Sequence, residues 1–161
     1  MTDDSSHPSA LDRGVLDTLY LLSQRYHSHG MYEPAADLLA FLLRQQPTSA
    51  SLHLTLGKAL HAMGRHDQAV TSYRKALALG LPTIGVHLYL GQCLIFLAQP
   101  EQAAVALRQF IALARAQPAA PELAQQLQQA GHLLHHVASR LRPPAVTTSA
   151  DPKMLPHAPA A

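Results

Sequence analysis

The chain has 161 residues, of which 48% are hydrophobic and only 14% charged, with a formal net charge of +2; one domain with a buried core is within its means. Its twelve Lys and Arg are scattered singly, which excludes a phosphate-neutralising stripe and with it nucleic acid as a partner. A single cysteine, Cys93, excludes an internal disulfide, and the longest apolar run, Leu38 to Leu43, is too short to span a bilayer.

Leu and Ala dominate the apolar content and Trp is absent, so helix is favoured over strand throughout. Residues 1–10, with Asp, Ser and Pro, are expected to be loose. Their acidic, polar opening differs from the basic-then-apolar pattern of a secretory signal, and the chain is read as cytoplasmic. The following residues read as helix pairs at about 12 to 29 with 33 to 46, 49 to 62 with 66 to 79, and 83 to 96 with 100 to 116. Pro118 and Pro121 mark a break before a last helix, about 121 to 141, with an apolar face of Leu123, Leu127, Leu134, Val137 and Leu141. Pro143-Pro144 ends it, and the Ala/Pro-rich tail at 142–161 is expected to stay disordered.

The helix pairs repeat. Ala35, Ala69 and Ala103 are each 34 residues apart, and the same interval relates Gly57 to Gly91, His53 to His87, and Gly30 to Gly64 and then Ala98. Thirty-four residues is the tetratricopeptide period. Repeats at about 16–49, 50–83 and 84–117 put Ser23, Gly57 and Gly91 at the eighth position and Leu39, Tyr73 and Leu107 at the twenty-fourth. Small residues at the eighth and twentieth let paired helices approach, and the large ones fill the space between them. A glycine at the fifteenth ends the first helix in a left-handed conformation. The fold class is therefore all-α: three tandem repeats and a C-terminal capping helix over 11–141, wound as a right-handed superhelical solenoid.

In such stacks the first helix of each pair lines the concave face. The register assigns to it three rows: Tyr20, Leu54 and Leu88, apolar; Gln24, Lys58 and Gln92, polar; and His27, His61 and Ile95, mixed. An apolar row flanked by amides suits an extended peptide whose backbone bonds to the rim while its anchors enter pockets. Three buried anchors contribute about 5 to 9 kcal/mol gross, less several for ordering the partner, so micromolar affinity is expected. A groove leucine also has core packing as its default use. The Lys, Asn and Arg of a carboxylate clamp for acidic chaperone tails are missing, their positions holding Tyr20, Gln24, Thr55, Gly85 and Tyr89.

Other constellations are weaker. His132, His135 and His136 have spacings that place two imidazoles on one face of the last helix, but without a nearby carboxylate or thiolate no metal is assigned to them. His27 and His29 stand near a helix end, where imidazolium favours the last carbonyls. Cys93 falls on the packed side of its helix and reads as a buried, inert thiol. Nucleophile elbows, phosphate loops and zinc-protease motifs do not occur; neither an enzyme nor a cofactor is expected.

With the register set, the stretch from Leu19 to about Ala114 resembles the class II chaperones of type III secretion, the LcrH/SycD family. The likeness rests on Leu19-Tyr20, Gly30-Met31-Tyr32-Glu33, Ala62-Met63-Gly64 with Asp67-Gln68-Ala69-Val70, Tyr73 to Leu79 followed by Pro82, and Gly91-Gln92-Cys93-Leu94. The resemblance implies a chaperone that holds a hydrophobic translocator, or a tip or filament subunit, soluble for the export apparatus. It also implies that an N-terminal client segment lies in the groove near Tyr20, His27 and Tyr32, and that the chaperone forms a homodimer. The segment before the first repeat is shorter than is usual in that family. Two rival readings are a needle-subunit chaperone, with a helical client, and a general adaptor joining folded proteins.

Overall fold

A computed structural model describes residues 12–81 and 83–141. Among the described residues seven helices follow one another: α1 (Arg13–Ser28), α2 (Tyr32–Gln45), α3 (Ala50–Ala62), α4 (His66–Ala78), α5 (Gly85–Phe96), α6 (Pro100–Arg115) and α7 (Pro121–Leu141). The expected boundaries fall within about two residues of these. Pro82 and the expected loose segments at 1–10 and 142–161 lie outside the described residues, apart from Pro82's neighbours on either side.

Each helix packs on the next, and α5 reaches back to α3 as α7 reaches back to α5, which is the stacking of a helical solenoid. The turns between paired helices share one device. After α1, α3, α4 and α5 a residue of positive φ closes the helix: Gly30 (75°), Gly64 (73°), Gly80 (77°) and Ala98 (53°). The following amide then reaches back five residues, Met31 to Tyr26, Arg65 to Leu60, Leu81 to Ala76 and Gln99 to Leu94, with N···O distances of 2.9 to 3.2 Å, satisfying a carbonyl the helix leaves open. Ala98 performs this role with a Cβ, at a steric cost that glycine avoids.

Packing within the pairs follows the small-against-large register. Tyr73 lies with its ring over Gly57, so that a Cβ built there would stand 2.5 Å from the ring, and Leu107 lies over Gly91 at 2.8 Å. Leu39, Tyr73 and Leu107 are fully buried, as are Ala35, Ala69 and Ala103 one turn earlier on the same helices. In the first repeat Ser23 takes the glycine's place, and its buried hydroxyl donates to the Tyr20 carbonyl at 2.6 Å. At the far end, Ala130 and Val137 of α7 are buried against α6 and α5 together with Phe110 and Cys93. The last helix thus caps the stack in the manner a further repeat would.

Candidate functional site

The first helices of repeats one and two present a continuous hollow. One cavity of about 280 Å³ is lined by Tyr20, Gln24 and His27 from α1 and by Ser51, Leu54, Thr55 and Lys58 from α3. A second, of about 310 Å³, takes in His27 and Lys58 again and adds His61, Ala62, Tyr73 and Tyr89. The shared His27 and Lys58 make them one groove running from α1 across α3 to α5.

The walls are held by aromatic and polar contacts. Tyr20 Oη lies 3.4 Å from Thr55 Oγ1 across the two repeats, and Thr55 in turn donates to the Ser51 carbonyl at 2.9 Å. His27 meets Tyr32 edge to face, centroids 5.2 Å apart, and its Nε2 is buried with no hydrogen-bond partner among the described residues. The Lys58 ammonium stands 5.4 Å from the centre of the Tyr89 ring, a cation–π arrangement, and Tyr89 stacks on Tyr73 at 5.9 Å. His61 is held below the ordinary histidine range by burial first and by neighbouring His66 second, so it is mainly neutral at pH 7. The result is an apolar floor with a neutral-to-cationic rim, matched to a partner with apolar side chains and free backbone carbonyls.

Of the sequence-derived rows, Tyr20, Gln24, His27, Leu54, Lys58 and His61 come together here. The third repeat departs from expectation. Leu88 is only 3% exposed and packs with Leu107, Phe110, Ala114 and Ala130, so it is a core side chain instead of a groove anchor. Ile95 turns towards α7 and lines a small cavity with Ala98, His136, Val137 and Arg140. Gln92 is half-buried and borders neither groove cavity. The cause is α7, which covers the α5 face that repeats one and two leave open. Tyr89, one residue beyond Leu88, supplies the apolar wall in its place; its sequence signal is an aromatic residue at one of the positions where a carboxylate clamp would stand. His29, not His27, caps α1: its Nδ1 lies 2.7 Å from the Arg25 carbonyl.

Outside the groove, a larger hollow of about 530 Å³ among Leu43, Arg44, Pro47, Leu56 and Lys75 contains none of the concave positions. Cys93 is buried, and desolvation pushes its thiol up to about 12, which keeps it protonated at neutral pH when no cation stands beside it. Among the described residues no helix is long and apolar enough to cross a membrane.

Comparison with known proteins agrees with the geometry. Residues 50–79 and 86–114 match models of the tetratricopeptide repeat. No curated protein matches the sequence. Among solved structures, a type III secretion system complex from Aeromonas hydrophila superposes with a TM-score of 0.73 at 25% identity, over 81% of this chain and 85% of that one. PcrH in complex with the chaperone-binding region of PopD, PcrH being from Pseudomonas aeruginosa, gives 0.73 at 23% over 82% and 97%. The Yersinia enterocolitica chaperone SycD in complex with a peptide of the translocator YopD gives 0.73 at 21% over 81% and 98%. The chain therefore has the tetratricopeptide-repeat fold in the form taken by the translocator chaperones of type III secretion.

Proposed function

We propose that this protein is a cytoplasmic chaperone of a type III secretion system, holding a hydrophobic translocator or a tip or filament subunit in its concave groove until export. The observation that carries the reading is the continuous hollow formed by Tyr20, Leu54, Lys58, His61 and Tyr89, in a fold shared with two chaperones whose structures hold segments of translocators. An extended client segment fits that hollow better than a helix does. The rim offers Gln24, Thr55 and Lys58 as backbone partners along a hollow that runs from α1 across α3 to α5. Client binding removes apolar surface from water on both partners, which is how such a chaperone would keep its cargo from aggregating.

Homodimer formation is part of the proposal. Val15 and Leu21 stand 43% and 59% exposed on α1, the first of the described helices, and SycD itself has been solved as a dimer. The direct test is co-expression of the chain with hydrophobic secreted proteins encoded beside it, followed by pull-down and a solubility assay, with Tyr20→Glu as control. A client made soluble by the wild-type chain and not by the variant supports the reading. Capture of folded partners only, with equal efficiency by both, would favour the adaptor.

A further inference from the structure

Three side chains distant in the sequence meet at the inner edge of the stack. His61 stands in the last turn of α3, His66 opens α4, and Cys93 lies within α5; one ligand atom from each lies within 4.8 Å of the others. The left-handed turn at Gly64 brings the two imidazoles together, with ring centroids 5.4 Å apart. Phe96 stacks flat against one face of His66, at 4.3 Å and 3°. His66 Nδ1 is buried and has no hydrogen-bond partner among the described residues.

We propose that His61, His66 and Cys93 bind one transition-metal ion of the borderline-to-soft class, of which Zn²⁺ is the representative, through two imidazole nitrogens and a thiolate. The donor set is the one such ions select. Tetrahedral bonds of about 2.0 to 2.3 Å put ligand atoms about 3.3 to 3.6 Å apart, so the three groups close by roughly 1 Å on binding, a movement that side-chain rotation of two half-buried histidines supplies. One proton leaves the Cys93 thiol as the sulfur–metal bond forms, and no electrons are transferred. Three protein ligands leave a fourth position for water or for a group from a bound partner. His61 also lines the client groove, so an ion here would tie the end of α3 and the start of α4 to α5 at the groove's inner wall.

The test uses the full chain stripped of metal and titrated with Co²⁺, then with Zn²⁺. The expected result is one equivalent of Co²⁺ producing a thiolate-to-cobalt charge-transfer band, bleached by one equivalent of Zn²⁺, and a thermal midpoint that rises with Zn²⁺. The band disappears in Cys93→Ala, and Zn²⁺ affinity falls by about 10- to 100-fold or more in His66→Gln, a change at a half-buried position that leaves the core untouched. Combined His132→Gln, His135→Gln and His136→Gln changes nothing. Absence of the band in the wild type, undiminished Zn²⁺ affinity in Cys93→Ala or His66→Gln with helical content intact, or loss of binding in the α7 triple variant would each overturn the assignment.

Discussion

Replacing Gly57 by Ala and Gly131 by Ala should move stability in opposite directions, although both are glycines inside helices. Alanine in a helix interior is favoured over glycine by about 0.5 to 1 kcal/mol, and at Gly131 nothing stands within 4 Å of the added methyl. That variant keeps the whole gain. At Gly57 the methyl would stand 2.5 and 2.7 Å from the Tyr73 ring, about 1 Å inside the usual carbon–carbon contact of about 3.5 to 4.0 Å. Tyr73 is fully buried and stacked on Tyr89, so yielding to the methyl disturbs both rings. Overpacking of this kind costs about 1 to 3 kcal/mol, and at so short a distance the upper half applies, leaving a net loss of about 1 to 2 kcal/mol. For a domain of this size about 3 °C accompanies each kcal/mol. Thermal unfolding followed by circular dichroism should therefore show Gly57→Ala melting about 3 to 6 °C lower than wild type and Gly131→Ala about 2 to 3 °C higher. Equal stabilisation of both would refute the close helix approach on which the repeat register was built.

Ala98→Gly removes a Cβ from a left-handed residue and should stabilise by about 0.5 to 1 kcal/mol, read as a higher urea midpoint. Leu54→Glu, at a half-buried groove position, should keep its circular dichroism and lose client capture, whereas Leu88→Glu buries a carboxylate in the core and should cost about 4 kcal/mol or more, read as loss of cooperative unfolding. His87 is held below its ordinary 6.5 by burial, so the unfolded chain takes up the proton more readily. Stability is then full at pH 7.5 and falls as pH drops through about 6.5, and His87→Gln should flatten that part of the urea-midpoint profile.

The helices and their pairing were legible because each signal is local or strictly periodic. Gly57 and Gly91 against Tyr73 and Leu107 repeat at one interval, and the same interval placed the turns at Gly30, Gly64 and Ala98. The groove was legible where repeats face solvent, from Tyr20 to His61. It was not legible in the third repeat, because a 34-residue register gives the direction of a side chain but not what lies over it. Leu88 and Leu54 hold equivalent positions, and only α7, outside the repeats, distinguishes a core residue from a groove residue. The meeting of His61, His66 and Cys93 was hidden for a related reason. The three come from three helices, at repeat positions that carry no metal spacing, and they converge only through the turn at Gly64.

The central claim, that a client occupies the groove of repeats one and two, is tested most directly by site-specific photo-crosslinking in the co-expressed complex. A photoreactive residue is placed at Leu54 or Tyr89 in the groove, and at exposed Arg108 on α6 as control. Strong crosslinks from the two groove positions to one short, apolar segment of the client, and none from Arg108, are expected. Crosslinks from Arg108 with none from Leu54 and Tyr89 would contradict the claim and place the partner on another face.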